Sequence, residues 1–205
     1  MDGDLLYPDI RDSRVMVAVP RDRRARMTAL WALAERLTGL LRDTREPLIG
    51  QIKLAWWRDM MVMLADDPGA LPKGEPLLAE LQASWAGQGG LDQLVDAAEA
   101  MLLAEDAAAR YDGAAAYGEA LFHLSGGHGG TRWGLLWGAS LQESEADARR
   151  LFAGAARLAP PRAMFGGNRA LLMLDRWARA IAARGGERHW RREGLLLLRI
   201  GLIGR

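Results

Sequence analysis

Two carboxylates four residues apart, Glu143 and Asp147, have the side-chain chemistry to hold a divalent cation. Their oxygens are the hard ligands that magnesium takes, and acids four residues apart on one helix project side by side, as Glu143 and Asp147 would. Ser144 before "EADARRLF", with Asp147 three residues on, also has the pattern of a capped helix start. A helix beginning there puts Glu143 and Asp147 on different elements or around a turn, so a solvated face is the expected role of this pair. Arg21, Arg23, Arg24 and Arg26 form a basic cluster suited to a diphosphate, an anionic lipid surface or a nucleic-acid backbone, all rich in phosphate. The alternative is a solvated helix start with Asp22 as a local partner. Stacking aromatics are missing from the cluster, because Trp31 falls on the apolar side of that helix, and no nucleic-acid partner is expected.

Lys53 and Arg58 could face an anion pocket, and Trp56 with Trp57 could line an apolar tunnel. Adjacent helical residues lie ~100° apart, so at most one of the two tryptophans points straight at the core. Packing is expected of Trp57; Trp56 stays open between packing and lining. His123 and His128 flank a glycine turn without a third ligand of fitting type, and a structural role is expected of them rather than a metal site. The glycines of "SGGHGG" follow no strand and match neither phosphate-binding fingerprint, which leaves a helix-to-helix turn.

The elements that must position these groups are helical. Val, Ile, Thr, Tyr and Phe are scarce beside Ala, Leu, Arg and Glu, which predicts an all-α fold. Met27, Leu30, Trp31, Ala34, Leu37 and Leu41 recur at three and four residues and predict a helix from Arg23 to about Leu41. Pro47 suits the first turn of a second helix, with Ile52, Trp56, Met60 and Met63 along one face. A later face starts at Leu91 and runs through Leu94, Val95 and Ala98 to Leu102. Eight or nine helices with short turns are expected, in one domain over residues 1–205. The C-terminal run from Leu195 to Ile203, flanked by Arg188, Arg191, Arg192, Arg199 and Arg205, is expected to close the core, with a membrane surface or a partner as alternatives.

With no cysteine, disulfides and thiolate chemistry are excluded, and a net charge of +1 points to no polyanionic partner. The start, "MDGDLLYPDIRDSR", lacks the basic residues and apolar run of a signal peptide, and no uncharged stretch approaches the ~20 apolar residues of a membrane span. A cytoplasmic protein, with peripheral membrane association left open, is the expectation.

Pro20, Arg21, Arg24, Ala29, Leu30, Trp31 and Ala32, followed by Lys53, Leu54, Trp56, Trp57 and Arg58, form a pattern that resembles the squalene/phytoene synthase family. Those all-α enzymes join two allylic diphosphates head to head. "ARYDGAAAYGEALFHLSGG" is similar to the family's next helix, with Tyr117 at its usual tyrosine and Gly126 near its small-residue turn. Glu46, Pro47, Gly50, Ile52, Lys53, Leu54, Trp56, Trp57, Arg58 and Asp59 resemble the marker of a divergent branch that includes a mitochondrial complex I assembly factor. The resemblance is most specific from Val19 to Asp59, and the chain is short for the family in its second half.

The resemblance implies a multi-helix bundle of the isoprenoid synthase type. It makes Arg21, Arg24, Lys53 and Arg58 the candidates for a diphosphate, and Trp31, Trp56 and Tyr117 the candidates to line an apolar cavity. In the family, two Asp-rich motifs on facing helices hold the magnesium that neutralises the departing diphosphate. Here the first motif aligns with Thr38-Gly39-Leu40-Leu41-Arg42, which has no carboxylate, and Glu35 stands where an arginine usually precedes it. The upstream Ser-Phe-Tyr stretch reads Arg11-Asp12-Ser13, and the second motif falls in "RWGLLWGASLQESEADARR" without its Asp-x-x-Glu-Asp cluster. The implied function is therefore binding, of an isoprenoid or other lipid or of a protein partner, with respiratory-complex assembly as one setting and no cofactor. The alternative is an active prenyltransferase that uses Asp43, Glu143 and Asp147 as relocated acids with magnesium. A third, a collapsed cavity filled by tryptophans, would leave a pure interaction module.

Overall fold

The computed structural model describes residues 6–203, and side chains as far as Gly201. The acidic start at 1–5, Arg205 and the side chains of Leu202 and Ile203 lie outside the described residues. Within them the chain is all-α, with ten α-helices, three short 3-10 turns and no strand. They are α1 (Ser13–Met16), α2 (Arg24–Asp43), α3 (Pro47–Asp66), α4 (Pro76–Trp85) and α5 (Leu91–Leu102). α6 (Ala107–Leu124), α7 (Thr131–Ser140), α8 (Glu145–Arg157), α9 (Arg169–Ala182) and α10 (Trp190–Ile203) follow. One helix more than expected is present because α1 has only four residues, too few to show an apolar period.

Local chemistry sets the boundaries. Pro47 stands in the first turn of α3, where its missing N–H has no intrahelical partner to lose. The side chains of Asp106, Ser144 and Asn168 accept from the backbone N–H groups of Ala109, Asp147 and Leu171, capping α6, α8 and α9. Because Ser144 caps α8, the stretch expected to carry a second acidic motif is broken between α7 and α8.

The packing order runs α3–α5–α6–α7–α8, with α2 against α4, α5 and α6, α9 against α7 and α8, and α10 against α9 and α1. α6 and α7 meet backbone to backbone: a methyl at Gly118 would strike the Gly130 carbonyl, and one at Gly134 the Ala114 carbonyl. α7 is consequently buried on every side from Arg132 to Ala139. Burying Arg132 requires partners. Its Nη1 lies 2.5 Å from Asp175 Oδ1, its Nε donates to the Ala155 carbonyl and its Nη2 to the Leu158 carbonyl, joining α7 to α9 and the end of α8. Burial pushes the Asp175 carboxyl up against the opposing pull of Arg132.

α10 divides its apolar residues between two faces. Leu197 and Ile200 are buried, whereas Leu195 and Leu198 are 67% and 58% exposed. Glu193 anchors the helix, accepting from Trp177 Nε1 at 2.7 Å, Arg188 Nε at 3.0 Å and His189 N at 2.6 Å. No helix among the described residues is long and apolar enough to cross a membrane.

Candidate functional site

Thr38, where the resemblance puts the first aspartate, is buried on the inner face of α2. Its hydroxyl donates to the Ala34 carbonyl at 2.7 Å and accepts from Trp137 Nε1 at 2.8 Å. Tyr117, from α6, donates to the same Ala34 carbonyl at 2.8 Å. Its ring lies flat on Trp137, with centroids 3.8 Å apart and planes 6° from parallel. Burial drives the Tyr117 hydroxyl far above its ordinary range, so it stays a neutral donor.

Two turns before Thr38 on α2, Trp31 donates to Ser125 Oγ at 3.1 Å and meets Trp133 edge to face at 5.1 Å. Trp133 Nε1 in turn reaches the Pro8 carbonyl at 2.6 Å, and Tyr7 packs edge-on against its ring. Space remaining beside Tyr7, Trp31, Thr38 and Trp133 amounts to about 10 Å³. That accommodates about one water, against roughly 300 Å³ or more for sites that hold organic ligands.

Donor chemistry on this face does not fit magnesium. The ion requires several hard oxygens, while the one side-chain oxygen between Thr38 and Leu41 already bonds the Ala34 carbonyl and Trp137. Among the described residues, no group of three or more His, Asp or Glu is placed to share a cation.

The candidate acids occupy separate surroundings. Asp43, exposed at the end of α2, lines a cleft of about 490 Å³ with Glu35, Arg36, Leu40, Leu77 and Glu80. Two cleft residues are already in ion pairs, Glu35 with Arg11 at 2.6 Å and Arg36 with Glu75 at 3.0 Å. Glu143 is exposed in the turn before α8. Asp147, in the first turn of α8, lies 3.0 Å from Arg150 and 3.5 Å from Arg110. Neither Glu143 nor Asp147 lines the Asp43 cleft.

Among the basic candidates, Arg21 is exposed before α2, and Arg24 Nε donates to the Val19 carbonyl at 3.1 Å. Lys53 is exposed on α3. Arg58 is turned toward α5, where it bridges Asp96 at 2.6 Å and Glu99 at 2.5 Å. Of the cavity-lining candidates, Trp31 and Tyr117 are buried in the aromatic interior. Trp56 is 40% exposed on the outer face of α3 and touches Trp57 edge-on, while Trp57 is buried.

A different set of basic side chains does converge. Arg23, Arg26 and His123 line a cleft of about 400 Å³ with Trp85, Ser125 and Gly126. Arg26 places its guanidinium 3.8 Å above the Trp85 ring, and Trp85 Nε1 donates back to the Arg26 carbonyl at 3.0 Å. The basic cluster drew attention to these arginines, but their grouping with a histidine of α6 and a tryptophan of α4 has no signal along the chain. No protein-family model, no curated protein and no solved structure matches this sequence.

Proposed function

We propose that this chain is a squalene/phytoene synthase-like helical protein that acts by binding and not by prenyl transfer. The observation that carries the proposal is the hydrogen bond from Trp137 to Thr38, which seals the α2 face where the resemblance calls for magnesium-binding aspartates. Ionising an allylic diphosphate leaves a highly charged leaving group, and its neutralisation requires metal ions held by carboxylates facing the cavity. Here Thr38 stands where the first carboxylate would be, and the space beside it is filled by indole and phenol rings.

The outer face of α3 supports an apolar partner. Leu48 and Ile52 are 67% and 62% exposed beside Trp56, within the segment that resembles the branch marker. A run of exposed apolar side chains on one helix suits contact with a protein, in keeping with a role in respiratory-complex assembly, or with an isoprenoid or other lipid. On α10, exposed Leu195 and Leu198 stand among Arg191, Arg192 and Arg199, a pattern suited to peripheral association with an anionic membrane surface. The setting proposed is cytoplasmic and membrane-peripheral.

Diphosphate release from farnesyl and geranylgeranyl diphosphate, with magnesium present and an authentic family enzyme as control, tests the proposal. Silence beside a working control is the expected result. Release that a chelator abolishes would overturn it and install the prenyltransferase alternative, with Asp43, Glu143 and Asp147 as the acids to substitute first.

A further inference from the structure

We propose that the cleft between the start of α2 and the turn after α6 is a phosphoryl-binding site, in which Arg23, Arg26 and His123 face the anion and Ser125 donates a hydrogen bond to it. This site adjoins the aromatic interior through the Trp31–Ser125 hydrogen bond but does not depend on the binding function proposed above.

The first observation is charge without a counter-charge. No carboxylate lines the cleft, and neither Arg23 nor Arg26 has an ion-pair partner among the described residues. Arginines elsewhere in the fold, such as Arg11, Arg14, Arg58 and Arg132, are paired with acids at 2.5–2.7 Å. Arg26 is partly buried, and its proton affinity is lowered first by that burial and then by repulsion from Arg23. Two convergent guanidiniums repel each other across the cleft, and an oxyanion between them reverses the sign of that interaction.

The second observation is preorganisation. Arg26 is held from both ends by Trp85, which stacks under its guanidinium and donates to its carbonyl, so little side-chain freedom remains to be lost on binding. Gly126, at φ +88°, brings the turn beneath Arg23; a methyl there would sit 3.8 Å from Arg23 Nη1. His123 stands at the same rim, its ring centroid 5.2 Å from that of His128.

The third observation is a buried donor. Ser125 is 3% exposed and accepts from Trp31 Nε1, but its own hydroxyl hydrogen has no acceptor among the described residues. Ser125 lines the cleft, so in the proposed site that hydrogen goes to an anion between the arginines. Met27 and Leu124 supply apolar walls beside the polar groups. Together these features fit a phosphate or diphosphate group, either free, on a soluble ester or on a lipid headgroup.

Calorimetric titration of the full chain with inorganic pyrophosphate at low ionic strength tests the assignment. Saturable one-to-one binding is expected, weakened roughly tenfold or more by Arg23→Gln and by Arg26→Gln. Arg45→Gln, which removes the same charge from an exposed position outside the cleft, should change it by no more than about twofold. Arg23 is exposed, so its substitution tests the site even where Arg26→Gln impairs folding. Absence of saturable binding, or equal weakening by Arg45→Gln, would overturn the proposal. Competition by phosphatidic acid vesicles for the bound pyrophosphate would assign the phosphoryl group to a lipid headgroup; persistence of binding beside them would assign it to a soluble phosphate, and both results support the cleft.

Discussion

Trp137 Nε1 donates to Thr38 Oγ1 at 2.8 Å, and this bond ties the centre of α7 to the inner face of α2. Thr38 passes its own hydrogen to the Ala34 carbonyl one turn back, so the hydroxyl is satisfied as both donor and acceptor. Stacking on Tyr117 fixes the indole, and the Tyr117 hydroxyl reaches the same Ala34 carbonyl. The polar atoms at this point are therefore partnered inside the protein, where a catalytic face would offer them to substrate or metal.

Placing carboxylates on this face should destabilise the fold without creating a metal site. Thr38→Asp buries a carboxylate beside Asp9 and Glu35, which already take up the nearby Arg11, at a cost of ~3–5 kcal/mol by analogy with a broken buried ion pair. Arg42 is exposed, so adding Arg42→Asp should change little. Thermal unfolding of the double variant is expected to give a lowered Tm that magnesium does not raise.

Arg132 is the second interior polar junction. Removing it by Arg132→Ala leaves Asp175, 1% exposed, without its main counter-charge and frees the carbonyls of Ala155 and Leu158. Urea unfolding should show a loss of ~3–5 kcal/mol. Replacing both partners by apolar residues, Arg132→Met with Asp175→Leu, should recover a large part of it, because no charge is then left buried alone.

Glu193 should govern part of the acid sensitivity. Burial by itself would raise its carboxyl, but hydrogen bonds from Trp177, the His189 backbone and Arg188 outweigh burial and hold it below the ordinary glutamate range. Above the unfolded value of about 4.3 both states are ionised and the stabilisation is fully present. As pH falls below that value the unfolded chain takes up a proton first, and stability declines until the native carboxyl titrates as well. Glu193→Gln should flatten this acid limb, which Tm measured between about pH 5 and pH 2 will register.

Much of the fold was legible in the sequence. The apolar period from Arg23 to about Leu41 corresponds to α2, Pro47 and Ser144 mark real helix starts, and the "SGGHGG" glycines form the turn between α6 and α7. α1 was not legible, because four residues carry no period. The interior of α7 was not legible either: Arg132 looks like a surface residue until Asp175, 43 positions later, is placed against it. The same limit applies to the candidate sites. Arg58 is a diphosphate candidate by the resemblance, yet two acids on α5 take it up in the fold, while Arg23 and His123 line one cleft only because α2 and α6 pack together.

The most direct test of the sealed interior is the hydrogen-exchange rate of the Trp137 indole N–H, read from its proton–nitrogen cross-peak with the exposed indole of Trp56 as an internal reference. Protection that persists until global unfolding, and that farnesyl diphosphate with magnesium leaves unchanged, is the expected result. Exchange as fast as that of Trp56, or protection lost when the prenyl diphosphate is added, would show that this face opens to ligand and would contradict the account.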